Sequence, residues 1–292
     1  MTSLPSDIAA EILSRPRAVI GTGTQGRRVA LMLASRGGEV RIYARSAEGR
    51  EEAKSFVAEN LADIARRVGG TPGHIVLCDS MEVAIANVGL AIEAVPEQLE
   101  LKREIFRTLD RLAPADAVLG SNSSSYPTSQ FIRALTRPER VLNTHFYMPP
   151  LQNAVELMSC GATRPEIIEA LMDVLPRFGL EPYHVQRESV GFIFNRIWAA
   201  IKRESLAVVA DGVATPKDVD RIFQSVLRSA EAPFRLMDKV GLDVVLDIEE
   251  HYATTKGDAS EGPRALLRGY VQEGRLGQKT GRGFYDDYLS TS

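Results

Sequence analysis

Three observations predict an α/β chain with a doubly wound, mostly parallel sheet of the Rossmann type, followed by an all-α C-terminal domain. An apolar run, Arg17 to Gly21, enters a glycine-rich turn, and a helical pattern, Arg27 to Ser35, leaves it. Short apolar segments then alternate with amphipathic ones as far as Val185, as a sheet covered by helices on both faces requires. From Val190 the β signal stops and only helical periodicity continues. The change places a boundary near 186–190, with residues 1–187 as the sheet domain and 188–292 as the helical one.

The elements follow in order. Ile8, Ile12 and Leu13 mark a short leading helix. After the first strand, the helix over Arg27–Ser35 buries Val29, Leu31, Met32 and Leu33 and stops at Gly37-Gly38. Val40 to Ala44 is the second strand. Residues 47–68 are helical, with Phe56, Leu61, Ile64 and Val68 on one side. His74–Cys78 and Gly89–Val95 are strands with a short helix, Met81–Ala86, between them. Helix Leu99–Leu112, strand Val118–Ser121, strand Arg140–Phe146 and strand Asn153–Met158 come next. Helix Arg164–Phe178 and strand Tyr183–Val185 complete the sheet domain. One long helix is expected over Gly191–Gly212, then helices over Pro216–Phe223, Pro233–Lys239, Leu242–Tyr252 and Ala265–Glu273.

The chain has 292 residues, 44% of them apolar and 25% charged, enough for a well-filled core. A net charge of -3 gives no reason to expect nucleic acid or an anionic membrane as partner. No basic segment precedes an apolar one at the N-terminus, and no apolar run reaches membrane-spanning length, so a cytoplasmic protein is expected. Cys78 and Cys160 lie in apolar runs and read as buried free thiols. The four histidines form no metal-ligand cluster, so no metal is expected.

Val19-Ile20-Gly21-Thr22-Gly23-Thr24-Gln25-Gly26 has the G-x-G-x-x-G spacing in the strand–turn–helix context that dinucleotide binding needs. Gly21 permits the tight turn, Gly23 lets the backbone approach a pyrophosphate, and Gly26 lets helix and strand pack closely. Thr24 and Gln25 open the helix whose N–H groups face the phosphates. A carboxylate at the end of the second strand would bind a ribose 2′-hydroxyl, but that tip reads Ala44-Arg45-Ser46. A small residue, a guanidinium and a hydroxyl suit a 2′-phosphate, so NADP(H) is expected as the preferred cofactor, with NAD(H) possible.

Ligands of open α/β sheets bind beyond the carboxyl ends of the strands. That rule gathers Ser121-Asn122-Ser123-Ser124, His145 and Glu156 as candidates for one cleft. Hydride transfer to a carbonyl also needs a proton delivered to the oxygen. Histidine titrates in a suitable range for this task. A neighbouring carboxylate fixes its ring and favours its charged form. Ser124 and Asn195 could polarise the carbonyl oxygen. On these residues alone, a structural histidine, a serine turn and a surface glutamate remain open alternatives.

Together the motifs resemble the 3-hydroxyacyl-CoA dehydrogenase family through most of the chain. Ile92-Glu93-Ala94-Val95-Pro96-Glu97 resembles its strand-end segment on the nicotinamide side, and Ser121-Asn122-Ser123-Ser124-Ser125 its Ser-Asn-Thr-Ser-Ser signature. Thr144-His145-Phe146-Tyr147-Met148-Pro149 is similar to its His-Phe-Phe-Asn-Pro segment, and Val155-Glu156-Leu157 to its Val-Glu-Val. Gly191-Phe192-Ile193-Phe194-Asn195-Arg196 and the Lys279-Thr280-Gly281-Arg282-Gly283-Phe284-Tyr285 segment match two further motifs. The resemblance implies that His145 is the general acid/base and Glu156 its orienting partner. It places Ser124 and Asn195 on the substrate oxygen, and Glu97 and Asn122 on the cofactor side. It also implies a β-keto or β-hydroxy acyl-type small-molecule substrate and a homodimer formed through the helical domain.

Some positions depart from the family pattern. Ala44 stands where a ribose-binding Asp is usual and Met148 where Asn is usual. The segment between the second strand and Glu93 is short. Its helix offers Lys54 amid Glu51, Glu52, Glu59 and Asp63, a poor setting for coenzyme A phosphates. Relatives acting on free hydroxy acids, such as gulonate and carnitine dehydrogenases, offer a precedent. Two other readings stay open. One is an imine or β-hydroxyacid reductase using Lys202, which lies two helical turns beyond Asn195. The other is a non-catalytic nucleotide-binding protein.

Overall fold

A computed structural model describes residues 4–256 and 261–288. The chain forms two compact units, Met1–Ile193 and Phe194–Ser292.

The first unit runs α1 (Pro5–Ser14), β1 (Arg17–Ile20), α2 (Thr24–Ala34), β2 (Glu39–Tyr43), α3 (Ala47–Arg67), β3 (His74–Cys78), α4 (Met81–Ile85), β4 (Leu90–Glu93), α5 (Leu99–Leu112) and β5 (Val118–Ser121). It continues with β6 (Val141–Met148), β7 (Gln152–Ser159), α6 (Pro165–Val174) and β8 (Glu181–Val185). The eight strands lie in the order β3-β2-β1-β4-β5-β6-β7-β8. Strands β1 to β6 are mutually parallel, β7 runs antiparallel to β6, and β8 is parallel to β7. The doubly wound sheet predicted by the alternating pattern is therefore present. Its order reverses at β1, which puts a crevice between the loops after β1 and β4.

Every residue of β1, β4 and β5 is buried, which explains their unbroken apolar runs. One core layer packs Ile12, Val29, Leu33, Val57, Leu171 and Phe178 beneath α1, α2, α3 and α6. The other packs Ile85, Phe106, Leu109 and Phe131 beneath α4 and α5. Side chains cap two of these helices. The Ser46 hydroxyl accepts from Gly49 N at the start of α3 (3.1 Å), and the Ser80 hydroxyl from Val83 N at the start of α4 (3.3 Å). Cys78 and Cys160 are buried free thiols.

Three of the differences from the sequence reading have a plain physical cause. β6 continues past His145 to Met148 because β7 pairs with it, with a register irregularity between Phe146 and Met148. His145 thus sits inside a hairpin rather than at a strand end. The long helix starts at Phe194, not Gly191. Gly191 (φ 83°) and Phe192 (φ 53°) adopt left-handed conformations that a helix cannot include. Lastly, α6 ends at Val174 and passes into a 3₁₀ turn, Leu175–Phe178, that contains Pro176.

The second unit holds α7 (Phe194–Ala210), α8 (Pro216–Leu227), α9 (Pro233–Val240), α10 (Leu242–Lys256) and α11 (Glu261–Gln272). Leu206, Phe234, Met237, Leu242, Leu267 and Phe284 form its core. Buried Asp238 accepts from Phe284 N (2.9 Å), Tyr285 N (3.0 Å) and the Tyr288 hydroxyl (2.9 Å), which ties the C-terminal segment to α9. Among the described residues, no helix is long and apolar enough to cross a membrane.

Candidate active site

The glycine turn between β1 and α2 is packed too closely for a side chain at two of its three glycines. Gly21 has φ 117°, and a Cβ there would lie 2.4 Å from the Ala94 carbonyl oxygen. A Cβ on Gly26 would lie 2.1 Å from the carbonyl oxygen of Gly21, so the turn is pressed against its own helix. A Cβ on Gly23 would meet nothing within 4 Å. No side chain caps the N-terminus of α2, so its first N–H groups are left for an anion. These features fit a dinucleotide.

The turn opens into a cleft of about 1030 Å³ within the first unit. It is lined by Gly21, Gly23, Thr24, Gln25, Ala44, Arg45, Ser46, Glu97, Asn122, Ser124 and His145. Most residues singled out from the sequence therefore share one cavity. Arg45 and Ser46 are exposed at its β2 end. The carboxylate of Asp79, which also lines that end, is paired with Arg50 at 2.6 Å. Gln25 is already engaged, since its Nε2 donates to the Tyr147 carbonyl.

A buried ionic network shapes the middle of the cleft. Lys102 Nζ on α5 lies 2.8 Å from Glu93 Oε1 and 3.2 Å from Glu97 Oε2, with Lys102 1% and Glu93 0% exposed. Glu93 also accepts from the Ser121 hydroxyl (2.6 Å) and Val95 N (2.8 Å). Glu97 accepts from the Ser123 hydroxyl (2.5 Å) and Ser125 N (2.9 Å). Burial alone would push the Glu97 carboxyl up. The Lys102 charge, with the Ser123 and Ser125 hydrogen bonds, outweighs burial and holds it below the ordinary carboxylate range. Glu97 thus positions the Ser123–Ser125 loop, a task the sequence reading did not assign to it. Asn122 Oδ1 accepts from Phe146 N (2.8 Å) and links the end of β5 to β6 beside His145.

His145 and Glu156 are direct register partners across β6 and β7. Nδ1 of the imidazole lies 3.0 Å from Glu156 Oε2, and the two residues are 6% and 2% exposed. Glu156 Oε1 accepts from Ile193 N at 2.8 Å. The left-handed turn at Gly191 and Phe192 makes that bond possible and stacks the Phe192 ring on the imidazole, with centroids 4.9 Å apart. Tyr147 packs its ring 4.7 Å from His145 and donates its hydroxyl to Glu156 Oε2 at 2.8 Å. Tyr147, Phe192 and Ile193 N–H were not identified from the sequence as partners of the pair. One signal for Tyr147 was available, because residues two apart on a strand share a face. Nδ1 being held by the carboxylate leaves Nε2 as the ring atom able to exchange a proton with a ligand.

Asn195 is the second residue of α7, in the second unit. Lys202, the alternative proton carrier, is buried within that unit at 3.2 Å from Glu249 Oε1. Burial lowers its affinity for a proton against the pull of Glu249. The ion pair gives Lys202 a structural place in the packing of α7 against α10.

Comparison with known proteins gives concordant results. The family model for the 3-hydroxyacyl-CoA dehydrogenase NAD binding domain matches residues 17–189, and that for the C-terminal domain of the same enzymes matches residues 191–287. A probable 3-hydroxybutyryl-CoA dehydrogenase of Bacillus subtilis is 33% identical over 282 residues, 94% of this chain and 98% of its own. The solved structure of (S)-3-hydroxybutyryl-CoA dehydrogenase PaaH1 from Ralstonia eutropha matches with a TM-score of 0.83 at 27% identity, covering 95% of this chain and 99% of that one. A diketoreductase described as acting on dicarbonyl compounds matches with a TM-score of 0.80 at 27% identity, covering 98% and 99%. With both family domains matched in order and the glycine cleft in place, the chain belongs to the 3-hydroxyacyl-CoA dehydrogenase family and is an NAD(P)-dependent oxidoreductase acting on a CH–OH group.

Proposed function

We propose that this enzyme interconverts a β-keto and a β-hydroxy group on an acyl-type substrate, with NADP(H) as preferred cofactor and the His145–Glu156 pair as its proton-transfer device. The observation that carries the reading is the buried 3.0 Å contact between His145 Nδ1 and Glu156 Oε2 in a unit whose cleft also holds the glycine turn. The nicotinamide supplies or accepts the hydride. His145 gives a proton to the substrate oxygen in reduction and removes it in oxidation. Glu156 fixes the ring and stabilises the imidazolium. Ser124, in the same cleft, donates to the substrate oxygen, and the resemblance assigns Asn195 the same role. Exposed Ile222, Val226 and Leu227 on α8 suit the homodimer expected of the helical unit.

Cofactor choice rests on the tip of β2. Ala44 presents no carboxylate to repel a 2′-phosphate, Arg45 is exposed at the cleft, and the Ser46 hydroxyl still has a proton to donate while it caps α3. Arg45→Ala is expected to lower kcat/KM for NADPH about tenfold, the scale of one charge-assisted hydrogen bond, and to leave NADH nearly unchanged. The ratio of the two specificity constants before and after substitution checks this. A ratio that does not move would remove Arg45 from the assignment.

The substrate handle is read from α3. Glu51, Glu52, Glu59 and Lys54 are exposed over residues 47–60, so that stretch offers mainly negative charge to an incoming phosphate, and Arg66 and Arg67 lie at the far end of the helix. The reading therefore favours a free or otherwise carried acid over a tightly held coenzyme A thioester. The similarity to a diketoreductase supports a carbonyl substrate of that broader kind.

A further inference from the structure

We propose that Tyr147 is a positioning residue that sets the proton affinity of His145 through their shared carboxylate oxygen. The inference rests on His145 being the proton carrier for its catalytic consequence, but the electrostatic claim stands on geometry alone.

Glu156 Oε2 accepts from both His145 Nδ1 (3.0 Å) and the Tyr147 hydroxyl (2.8 Å). The two donors reach it because positions 145 and 147 project from the same face of β6 and Glu156 lies opposite on β7. The phenol therefore competes for the charge that stabilises the imidazolium. Burial, and then the hydrogen bond to Glu156 and its charge, hold the Tyr147 phenol protonated far above the ordinary tyrosine range. It stays a donor across any working pH. In a site this dry, a hydroxyl on a carboxylate is a strong contact. Its withdrawal leaves Glu156 a stronger partner for the charged ring.

Other titratable groups near β6 are committed elsewhere. Glu93, Glu97 and Lys102, at the end of β4 and on α5, satisfy one another. The end of β5, Ser121 to Ser125, carries no charge. Arg28 on α2 donates to the Pro149 carbonyl at 3.1 Å, and Arg27 lies over the Phe56 ring. On β8, Tyr183 is the register partner of Glu156 and is 48% exposed, with its hydroxyl 3.3 Å from Glu181. Tyr147 shares the Glu156 oxygen with His145 directly.

The family segment His-Phe-Phe-Asn-Pro has phenylalanine at this place, so Tyr147→Phe keeps the ring and removes only the donor. The test is an NMR titration of the imidazole signals in wild type and Y147F, with four histidines to resolve and the His145→Ala protein to assign the signal. The His145 midpoint is expected to move up by roughly one pH unit, a tenfold change in proton affinity. In a Glu156→Gln background, the same substitution is expected to move it little. The pH at half-maximal oxidation of 3-hydroxybutyrate by NADP should move in the same direction, with the plateau changed only a few-fold because Ile193 N–H still holds Glu156. A midpoint that stays in place in Y147F, or an equal shift in the Glu156→Gln background, would overturn the inference. His145→Ala that keeps full turnover would instead overturn the acid–base reading and, with it, the catalytic meaning of the shift.

Discussion

His145→Ala is expected to lower turnover by about 10²–10⁴-fold, the span over which a positioned general acid/base contributes. Cofactor affinity should stay within about twofold, because the glycine turn and the tip of β2 hold the dinucleotide in this account. The effect is large because little else near the imidazole can take its place. Glu156 is 2% exposed with its oxygens committed to Ile193 N–H and the Tyr147 hydroxyl, and that phenol is held protonated. His145→Gln keeps a polar side chain of similar reach but cannot cycle a proton, so it should be as slow as the alanine variant. Steady-state rates with NADPH and acetoacetate, beside a fluorescence titration with NADPH, separate chemistry from binding. A loss that falls on cofactor affinity alone would show that His145 shapes the nucleotide site and does no proton work.

The second large effect concerns stability. Lys102→Met is expected to destabilise the first unit by about 3–5 kcal/mol, the cost of leaving one partner of a buried ion pair alone. Glu93, fully buried, would then face only the Ser121 hydroxyl and Val95 N–H. Removing the charge on both sides should recover much of the loss, so the Lys102→Met, Glu93→Gln double variant is expected to be closer to wild type than Lys102→Met alone. Urea unfolding of the single and double variants at neutral pH measures both effects. A loss under about 1 kcal/mol would mean that the pair contributes little beyond its own desolvation.

These two sites differ in how far the sequence reveals them. The glycine turn is legible because backbone geometry leaves no alternative: a side chain at Gly21 or Gly26 would collide with a carbonyl oxygen. The sheet was legible for a related reason, since β1, β4 and β5 are buried on both faces and read as unbroken apolar runs. His145 and Glu156 could be paired only through motif resemblance, because alternation along a strand does not say which strand lies beside it. The same gap hid the extension of β6 to Met148, which depends on pairing with β7.

Other features depend on contacts that are distant in sequence. Gly191 to Ile193 carries an apolar pattern that continues smoothly into α7, so periodicity assigned it to the helix. The left-handed Phe192 is decided instead by its packing on His145 and by the Ile193 N–H bond to Glu156. Lys102 lies on a strongly amphipathic helix, where a lysine ordinarily reads as solvated. Its burial follows from Glu93, an acid at the end of an apolar strand, which needs a cation once the sheet closes. Lys202 looked like a proton carrier at helical spacing from Asn195, yet it is paired inside the second unit with Glu249, which lies far from it in sequence.

In the proposed mechanism one cleft delivers the hydride and the proton to a β-keto group. The most direct measurement is a single turnover of the preformed NADPH complex with β-keto compounds that do and do not carry a coenzyme A moiety, run beside His145→Ala loaded with the same cofactor. The account predicts one β-hydroxy product for each NADPH oxidised by the wild-type complex, and a complex of His145→Ala that binds NADPH as well but transfers hydride about 10²-fold or more slowly. Equal transfer rates in the two complexes would contradict it.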